Sequence, residues 1–373
     1  MKVLLVSHSS ALYGAQRSLI DLATGLRDQR IEVVVTAPEA GPLVDLLESQ
    51  GFDVRIMPCR NWIHSRTAYH WYRKWLIAHR QARTALDWIG GEGFDLIHTN
   101  SVVTPVGALA AKRAGLPHVW HVREGMPPKP DFFFMPFAKV RRFIQGTTQF
   151  MVGISKHSCE GMKSFCPPDR IRLVYNGPIS EVEASDDSFR REGLNNPLRL
   201  LCVGRVSLAK GHDVAARGLA LLRTQGIDAR LSIAGDVAAE LRDDLLKIAP
   251  EGLHFLGFVQ DTSDLYRKHD ILLMTSQKEA FGRVTVEAMA RGCLVVGTDS
   301  GGTPELIDHG QSGLIFQPGD AKELAEHVAS LAGNGELITK LRVNAHSKAF
   351  SDFTRERYAR QVAELYREAL DGA

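Results

Sequence analysis

Cysteine is scarce in this chain. The five thiols, at positions 59, 159, 166, 202 and 293 of 373 residues, form no C-x2-C pair and have no histidine at zinc-ligand spacing. This excludes a disulfide scaffold and a zinc ribbon, and leaves reduced thiols in the core and loops of a cytoplasmic protein. No apolar run reaches the length of a membrane span, and Lys2 leads directly into a strand-like run. Neither a spanning helix nor a signal peptide is expected, so any membrane contact is peripheral, at the inner face. A G-x-G-x-x-G turn is missing, which argues against a dinucleotide-dependent dehydrogenase. No basic helix with groove-reading residues and no aromatic-basic strand motif is present, so nucleic acid is not an expected partner.

What the chain does contain is a regular alternation of short apolar runs with amphipathic helical segments. Strands are expected at about 2–7, 31–37, 53–58, 95–99, 118–123 and 149–155, then at about 198–204, 229–235, 253–258, 271–276, 294–299 and 313–316. Helical patterns between most of them predict two doubly wound parallel sheets, an α/β architecture in two domains. With 44% hydrophobic residues over 373 positions, each domain can bury its own core. The polar, acidic stretch 179–196 is expected to be the linker between residues 1–178 and residues 197–353. The net charge of +2 conceals an asymmetry: residues 1–178 hold about 22 Lys and Arg against about 14 Asp and Glu, leaving the remainder acidic. A basic first domain suits an anionic partner such as a membrane surface or a phosphorylated molecule.

The densest chemistry lies between Glu279 and Gly302, in EAFGRVTVEAMARGCLVVGTDSGG. An apolar run, Ile271 to Ser276, precedes it, and helical spacing follows from Val284 to Arg291. The loop between sits at a strand's carboxyl end and a helix's amino end, where free N–H groups and the helix dipole favour a phosphate. Gly282 allows close approach of the backbone. Two carboxylates so near an anion site need hydroxyl groups to hold, and ionised glutamate accepts strong hydrogen bonds from them. We read Glu279 as gripping sugar hydroxyls and Glu287 as gripping the hydroxyls of a nucleotide's ribose. Upstream, a strand ending at Gly204 is followed by Arg205 and Lys210, a planar fork and a point charge that together suit a diphosphate.

Here the chain resembles the retaining glycosyltransferases of the GT-B fold, family 4. The likeness rests on the E-x7-E pair Glu279 and Glu287, on Gly301, Gly302, Pro304, Glu305 and Leu306, and on DHGQSGLIFQPGD from Asp308 to Asp320. The resemblance implies two Rossmann-like domains facing each other across a cleft, with a final helix, about 354–373, crossing back onto the first. It implies an EC 2.4 transferase of hexosyl type that moves a sugar from a nucleoside diphosphate sugar, UDP ahead of GDP, to a hydroxyl of a glycan or lipid-linked acceptor. Bacterial polysaccharide or glycolipid biosynthesis is the implied setting.

Carried over residue by residue, the resemblance makes His121, Arg205, Lys210 and Glu279 the catalytic candidates, His121 as the histidine that faces the anomeric centre. Donor-binding candidates are Gly14, Arg205, Lys210, Phe258, Val259, Glu279, Phe281, Gly282, Arg283, Val284 and Glu287, with Phe258 and Val259 where the family's base-binding loop falls. Acceptor-side candidates are Gln16, Asn100, Arg123 and Glu124. The chain departs from the family at its first turn, where Tyr13, Gly14, Ala15 and Gln16 replace a Gly-Gly pair and an acid, and at Val122, where the family often has an acid. No D-x-D occurs, so neither a metal clamp nor a cofactor is expected. Two other classes remain open: a nucleotide-sugar epimerase of the same fold, and a catalytically silent sugar-nucleotide-binding subunit. Aromatic-basic stretches at 62–89 and 127–143 are the candidate membrane or acceptor surfaces, against the bland alternative of core aromatics beside a solvated cationic face.

Overall fold

The computed structural model describes residues 1–63, 71–125, 136–185, 187–191 and 193–372. It divides into two compact units, one comprising Met1–Pro178 with Arg355–Ala373, the other Ile179–Thr354.

The first unit is a seven-stranded, all-parallel sheet. Its strands are β1 (Lys2–Ser7), β2 (Glu32–Ala37), β3 (Asp53–Ile56), β4 (Leu96–Asn100), β5 (His118–Val122), β6 (Phe150–Gly153) and β7 (Ile171–Leu173), in the order β3-β2-β1-β4-β5-β6-β7. The crossover helices are α1 (Gly14–Asp28), α2 (Pro42–Ser49), α3 (Trp71–Ile89), α4 (Val106–Ala114), α5 (Phe137–Gln145) and α6 (Lys156–Met162). Central strands β1, β4 and β5 are buried along almost their whole length, as parallel strands covered on both faces must be. Strand β7 was not expected. It is a three-residue edge strand with no fully buried position, too short and too polar to leave an apolar run in the sequence.

The second unit repeats the plan with six parallel strands, β8 (Leu198–Val203), β9 (Ala229–Ala234), β10 (Leu253–Gly257), β11 (Ile271–Met274), β12 (Leu294–Thr298) and β13 (Leu314–Phe316), ordered β10-β9-β8-β11-β12-β13. Helices α7 (His212–Thr224), α8 (Ala239–Ile248), α9 (Ser263–Lys268), α10 (Arg283–Ala290), α11 (Thr303–Leu306), α12 (Ala321–Leu331) and α13 (Gly335–Asp352) complete it. The last helix, α14 (Arg355–Asp371), belongs to the first unit, where Tyr358, Val362 and Tyr366 enter the apolar core beside α1. Gly25 of α1 makes that approach possible, because a Cβ there would meet the Cβ of Ala359 at 2.6 Å.

Residues 179–196, expected as the linker, make several hydrogen bonds within the second unit. Arg191 donates to the carbonyls of Arg267, His269 and Gly292, and the buried Arg342 donates to those of Arg191 and Gly193. Glu183 pairs with Arg291, and Asn195 donates to Asp270. One acid of the segment, Glu183, meets the buried Arg291, while Arg342 is satisfied by backbone carbonyls of the segment and of Gly292.

In each sheet the strand order reverses beside the first strand, between β1 and β4 and between β8 and β11. Crevices at the carboxyl ends of strands at such reversals are where open α/β sheets bind ligands. Close backbone approaches shape the second of these. Gly211 (φ +69°) would place a Cβ onto the Thr275 carbonyl oxygen, and Gly301 (φ +61°) onto that of Glu279, so only glycine fits either turn.

Inside the first sheet His118 is fully buried, with Nε2 2.8 Å from the Thr99 hydroxyl and Nδ1 3.3 Å from that of Thr148. Burial lowers its pKa from the ordinary 6.5 to about 3. The unfolded chain therefore takes up this proton first as pH falls. The stability due to neutral His118 is fully present above pH 6.5 and erodes down to about pH 3, by about 1.4 kcal/mol per unit of pH. Denaturant unfolding between pH 7 and 4 should show His118→Gln less stable at pH 7 yet declining less steeply than wild type by about this amount. An unchanged slope would contradict the assignment.

Candidate functional site

The second unit brings together most of the residues singled out in the sequence. Arg205 and Lys210 follow β8, Glu279 follows β11, and these are the two strands flanking the reversal. Arg205 is exposed, whereas Lys210 and Glu279 are partly covered and meet directly, Nζ to Oε2 at 2.6 Å. The Lys210 loop is fixed from both sides: its carbonyl accepts from the Thr275 hydroxyl at 2.9 Å, and the buried His212 lies with Nδ1 3.1 Å from the Ser207 carbonyl. The Glu279 loop is held by the amide of Gly302, which donates to the Glu279 carbonyl at 2.8 Å. A Cβ on Gly302 would stand only 2.7 Å from the Ala280 carbonyl oxygen.

Helix α10 opens immediately after this loop. Gly282 occupies the cap at φ +98°, no side chain caps the end, and the first turn carries no acid. The helix's positive end is thus left for an anion, beside the two cations that follow β8. The Phe281 side chain is buried against Phe353 with ring centroids 5.9 Å apart, so this residue can offer only backbone to a ligand. Arg283 and Val284 begin the helix and are half-buried. One turn on, the Glu287 carboxylate lies 3.4 Å from the Arg283 guanidinium and accepts from the hydroxyl of Tyr266 at 2.9 Å. Phe258 and Val259 follow β10, and Phe258 is 62% exposed.

In the first unit the candidates gather after β1, β4 and β5. The Arg123 guanidinium is buried and donates to Asn100 Oδ1 at 2.8 Å, to Asn176 Oδ1, and to the Tyr358 hydroxyl at 2.7 Å. All three of these acceptors are uncharged. The Glu124 carboxylate accepts from the Ser101 hydroxyl and from the amides of Arg123 at 3.0 Å and Val102 at 3.4 Å. It thereby braces Ser101, whose φ of +86° is strained for a residue with a side chain. Gly14 is exposed at the uncapped start of α1, and Asn100 reaches the Ala15 carbonyl at 3.1 Å.

Gln16 and His121 lie deeper than a contact role suggests. Both are buried, and Gln16 Nε2 and both ring nitrogens of His121 find no partner among the described residues. His121 sits 5.3 Å from the ring of His98, which in turn meets the Tyr366 hydroxyl at 2.6 Å. Burial first, and the Arg123 charge second, push the pKa of both histidines well below the ordinary value, so they are neutral. Tyr266, Tyr358 and Thr275 complete these clusters without having been singled out as site residues, and Asn176 joins them from the Asn-Gly turn of LVYNGP, where the sequence offers it as a weak candidate. Tyr358 and Thr275 lie far along the chain from the groups they hold, and no local pattern marks them.

Known proteins resemble this chain in sequence and in fold. A model of the glycosyl transferases group 1 matches residues 197–334, and one of glycosyltransferase family 4 matches residues 13–178. Among characterised sequences, the chain is 32% identical over 214 residues to the N-acetyl-alpha-D-glucosaminyl L-malate synthase of Bacillus anthracis. That match covers 55% of each chain. It is 26% identical over 314 residues to a D-inositol 3-phosphate glycosyltransferase of Thermobispora bispora, covering 74% of this chain and 71% of that one. The first of these matches therefore spans about half the relative's length. Among solved structures, Anabaena HepE in complex with UDP and glucose superposes with a TM-score of 0.80 at 23% identity, covering 99% of this chain and 100% of that one. WaaG, a glycosyltransferase involved in lipopolysaccharide biosynthesis, gives 0.71 at 18% identity over 98% of this chain and 99% of that one. At such identities the superpositions speak for the fold alone. Two parallel Rossmann-like sheets, the E-x7-E helix beside its paired cations, and family matches over both halves lead to one conclusion: the chain belongs to the group 1, family 4 glycosyltransferases of GT-B type.

Proposed function

We propose that the protein transfers a sugar from a nucleoside diphosphate donor to a hydroxyl of a glycan or lipid-linked acceptor, in bacterial polysaccharide or glycolipid biosynthesis. The observation that carries this reading is the Lys210–Glu279 contact at the strand reversal of the second sheet, with Arg205 on the same loop as Lys210 and the uncapped start of α10 directly after the Glu279 loop. Cations and helix dipole there meet the diphosphate, while carboxylates meet hydroxyl groups. A nucleoside diphosphate sugar presents both.

In the proposed reaction the bond between the sugar's anomeric carbon and the diphosphate oxygen breaks. The acceptor oxygen bonds to that carbon on the same face, so configuration is retained, and the acceptor proton passes to the departing diphosphate. Lys210, Arg205 and the α10 amides stabilise the charge that develops on the leaving group, the main catalytic contribution, without a metal ion. Glu279 holds sugar hydroxyls, Glu287 the ribose, and the loop at Phe258 and Val259 the base. UDP is favoured as the carrier because a protein of the same fold, HepE, was solved with UDP and glucose. On the acceptor side the candidate contacts are Asn100 and Arg123, at the carboxyl ends of β4 and β5, and neutral His121 lies opposite Asn100 in the sheet register.

The basic first unit is the proposed membrane-facing part. On α3, Tyr72, Leu76 and Ile77 are exposed beside the exposed cations Arg73 and Arg80, and on α5 the exposed Lys139, Arg141 and Arg142 flank buried Val140 and Ile144. Apolar side chains among cations suit an interface with anionic lipid. The phenylalanines at 132–134 fall outside the described residues.

Thermal shift with UDP, GDP and ADP should single out one nucleotide that stabilises the protein equally well in EDTA, with affinity reduced tenfold or more in Lys210→Ala and Glu287→Ala. Failure of every nucleotide to stabilise it would remove the donor-site assignment. In vesicle sedimentation the protein should pellet with anionic phosphatidylglycerol vesicles and not with phosphatidylcholine, and Leu76→Asp with Ile77→Asp should release it. Equal binding to both lipids, or no effect of the substitutions, would place the membrane surface elsewhere.

A further inference from the structure

Glu287 is held by more than its own helix. Tyr266, on α9, has a ring that is only 1% exposed, and its single polar atom donates to Glu287 Oε2 at 2.9 Å. The other carboxylate oxygen, Oε1, lies 3.4 Å from the Arg283 guanidinium one turn earlier on α10. Each oxygen therefore has one protein partner, and a carboxylate oxygen has capacity for a second hydrogen bond. Just past the end of α10, Arg291 donates to the Glu287 carbonyl at 3.2 Å and pairs with Glu183, fixing the backbone beneath the carboxylate. A glutamate on a surface helix normally samples several rotamers, and those are lost only when it binds. This one is already oriented in the absence of ligand.

We propose that Tyr266 is a positioning residue of the nucleotide site: its buried hydroxyl fixes the Glu287 carboxylate in the orientation that receives the two hydroxyls of a ribose. This rests on the reading of Glu287 as the ribose-binding residue. Burial, and after it the nearby Glu287 charge, raises the Tyr266 pKa well above the ordinary 10, so the phenol keeps its proton and remains a donor throughout the working range of pH. The consequence is a selectivity device. A nucleotide with a free 2′,3′-diol gains from the preset carboxylate, and one lacking the diol gains nothing.

The test compares Tyr266→Phe with wild type by calorimetric titration. The probes are whichever of UDP, GDP and ADP binds wild type most tightly, and its 2′,3′-dideoxy counterpart. Phenylalanine keeps the buried ring, and a melting temperature within a few degrees of wild type verifies the fold. Loss of a hydrogen bond to a charged group predicts affinity for the ribonucleotide lower by about five- to twentyfold, with affinity for the dideoxy form within about twofold. In a Glu287→Ala background, where no carboxylate remains to orient, Tyr266→Phe should have no further effect on either probe. Equal weakening of both probes by Tyr266→Phe, or no weakening, would overturn the positioning role and leave the donor site standing. A wild-type protein that binds none of the three nucleotides, or binds ribose and dideoxyribose forms alike, would overturn the ribose assignment of Glu287 and this proposal with it.

Discussion

The contact on which the second unit's site depends is the ion pair between Lys210 and Glu279, 2.6 Å long, joining the loops that leave the two strands at the reversal of the sheet. Its worth as a source of stability is small, because Lys210 is 42% exposed and water screens the pair. Its value is positional. In the structure the Lys210 cation and the Glu279 carboxylate, the proposed partners of a diphosphate and of sugar hydroxyls, offset each other's charge. On the proposed function, a nucleoside diphosphate sugar would offer Lys210 an anion and Glu279 O–H donors and so separate them. Binding would then exchange one set of charge-assisted contacts for another instead of creating them from solvent.

Such an exchange requires both loops to arrive within hydrogen-bond reach, and backbone geometry ensures it. Gly211 and Gly301 turn in the left-handed region against carbonyl oxygens of the neighbouring loop, where a Cβ would overlap. Thr275 and Gly302 add the hydrogen bonds that hold those approaches closed. The first unit uses a different device at its own reversal. There a buried arginine, Arg123, is surrounded by the neutral acceptors Asn100, Asn176 and Tyr358, and Glu124 braces the strained turn at Ser101. The second site is built from closely stacked loops and the first from a side-chain network that includes the last helix.

Much of this was legible in the sequence because the strands of a buried parallel sheet are apolar runs and their ends are marked by glycine and charge. Twelve strand positions and the E-x7-E helix follow from that pattern alone. The strand β7 was not legible, since an edge strand of three half-exposed residues has no hydrophobic signature. The acidic composition of 179–196 does not tell that Glu183 faces the buried Arg291, because a carboxylate reads the same in sequence whether it faces water or a cation. Tyr266 and Tyr358 were invisible for a different reason: each acts on a residue of another element, 21 and 235 positions away, and no local spacing encodes that pairing. His121 was legible as a strand-end histidine, but its burial follows from α14 lying over the sheet, a tertiary fact.

The most direct test of the ion-pair account is the affinity of Glu279→Gln for a nucleoside diphosphate and for the corresponding nucleotide sugar. Removing the carboxylate's charge frees Lys210 from its competitor, so the bare diphosphate should bind as tightly as in wild type or more tightly, while the sugar's added contribution to affinity disappears. A diphosphate affinity that falls about tenfold in Glu279→Gln would contradict the account, because it would make Glu279 a support that holds Lys210 in place and not the partner that ligand displaces.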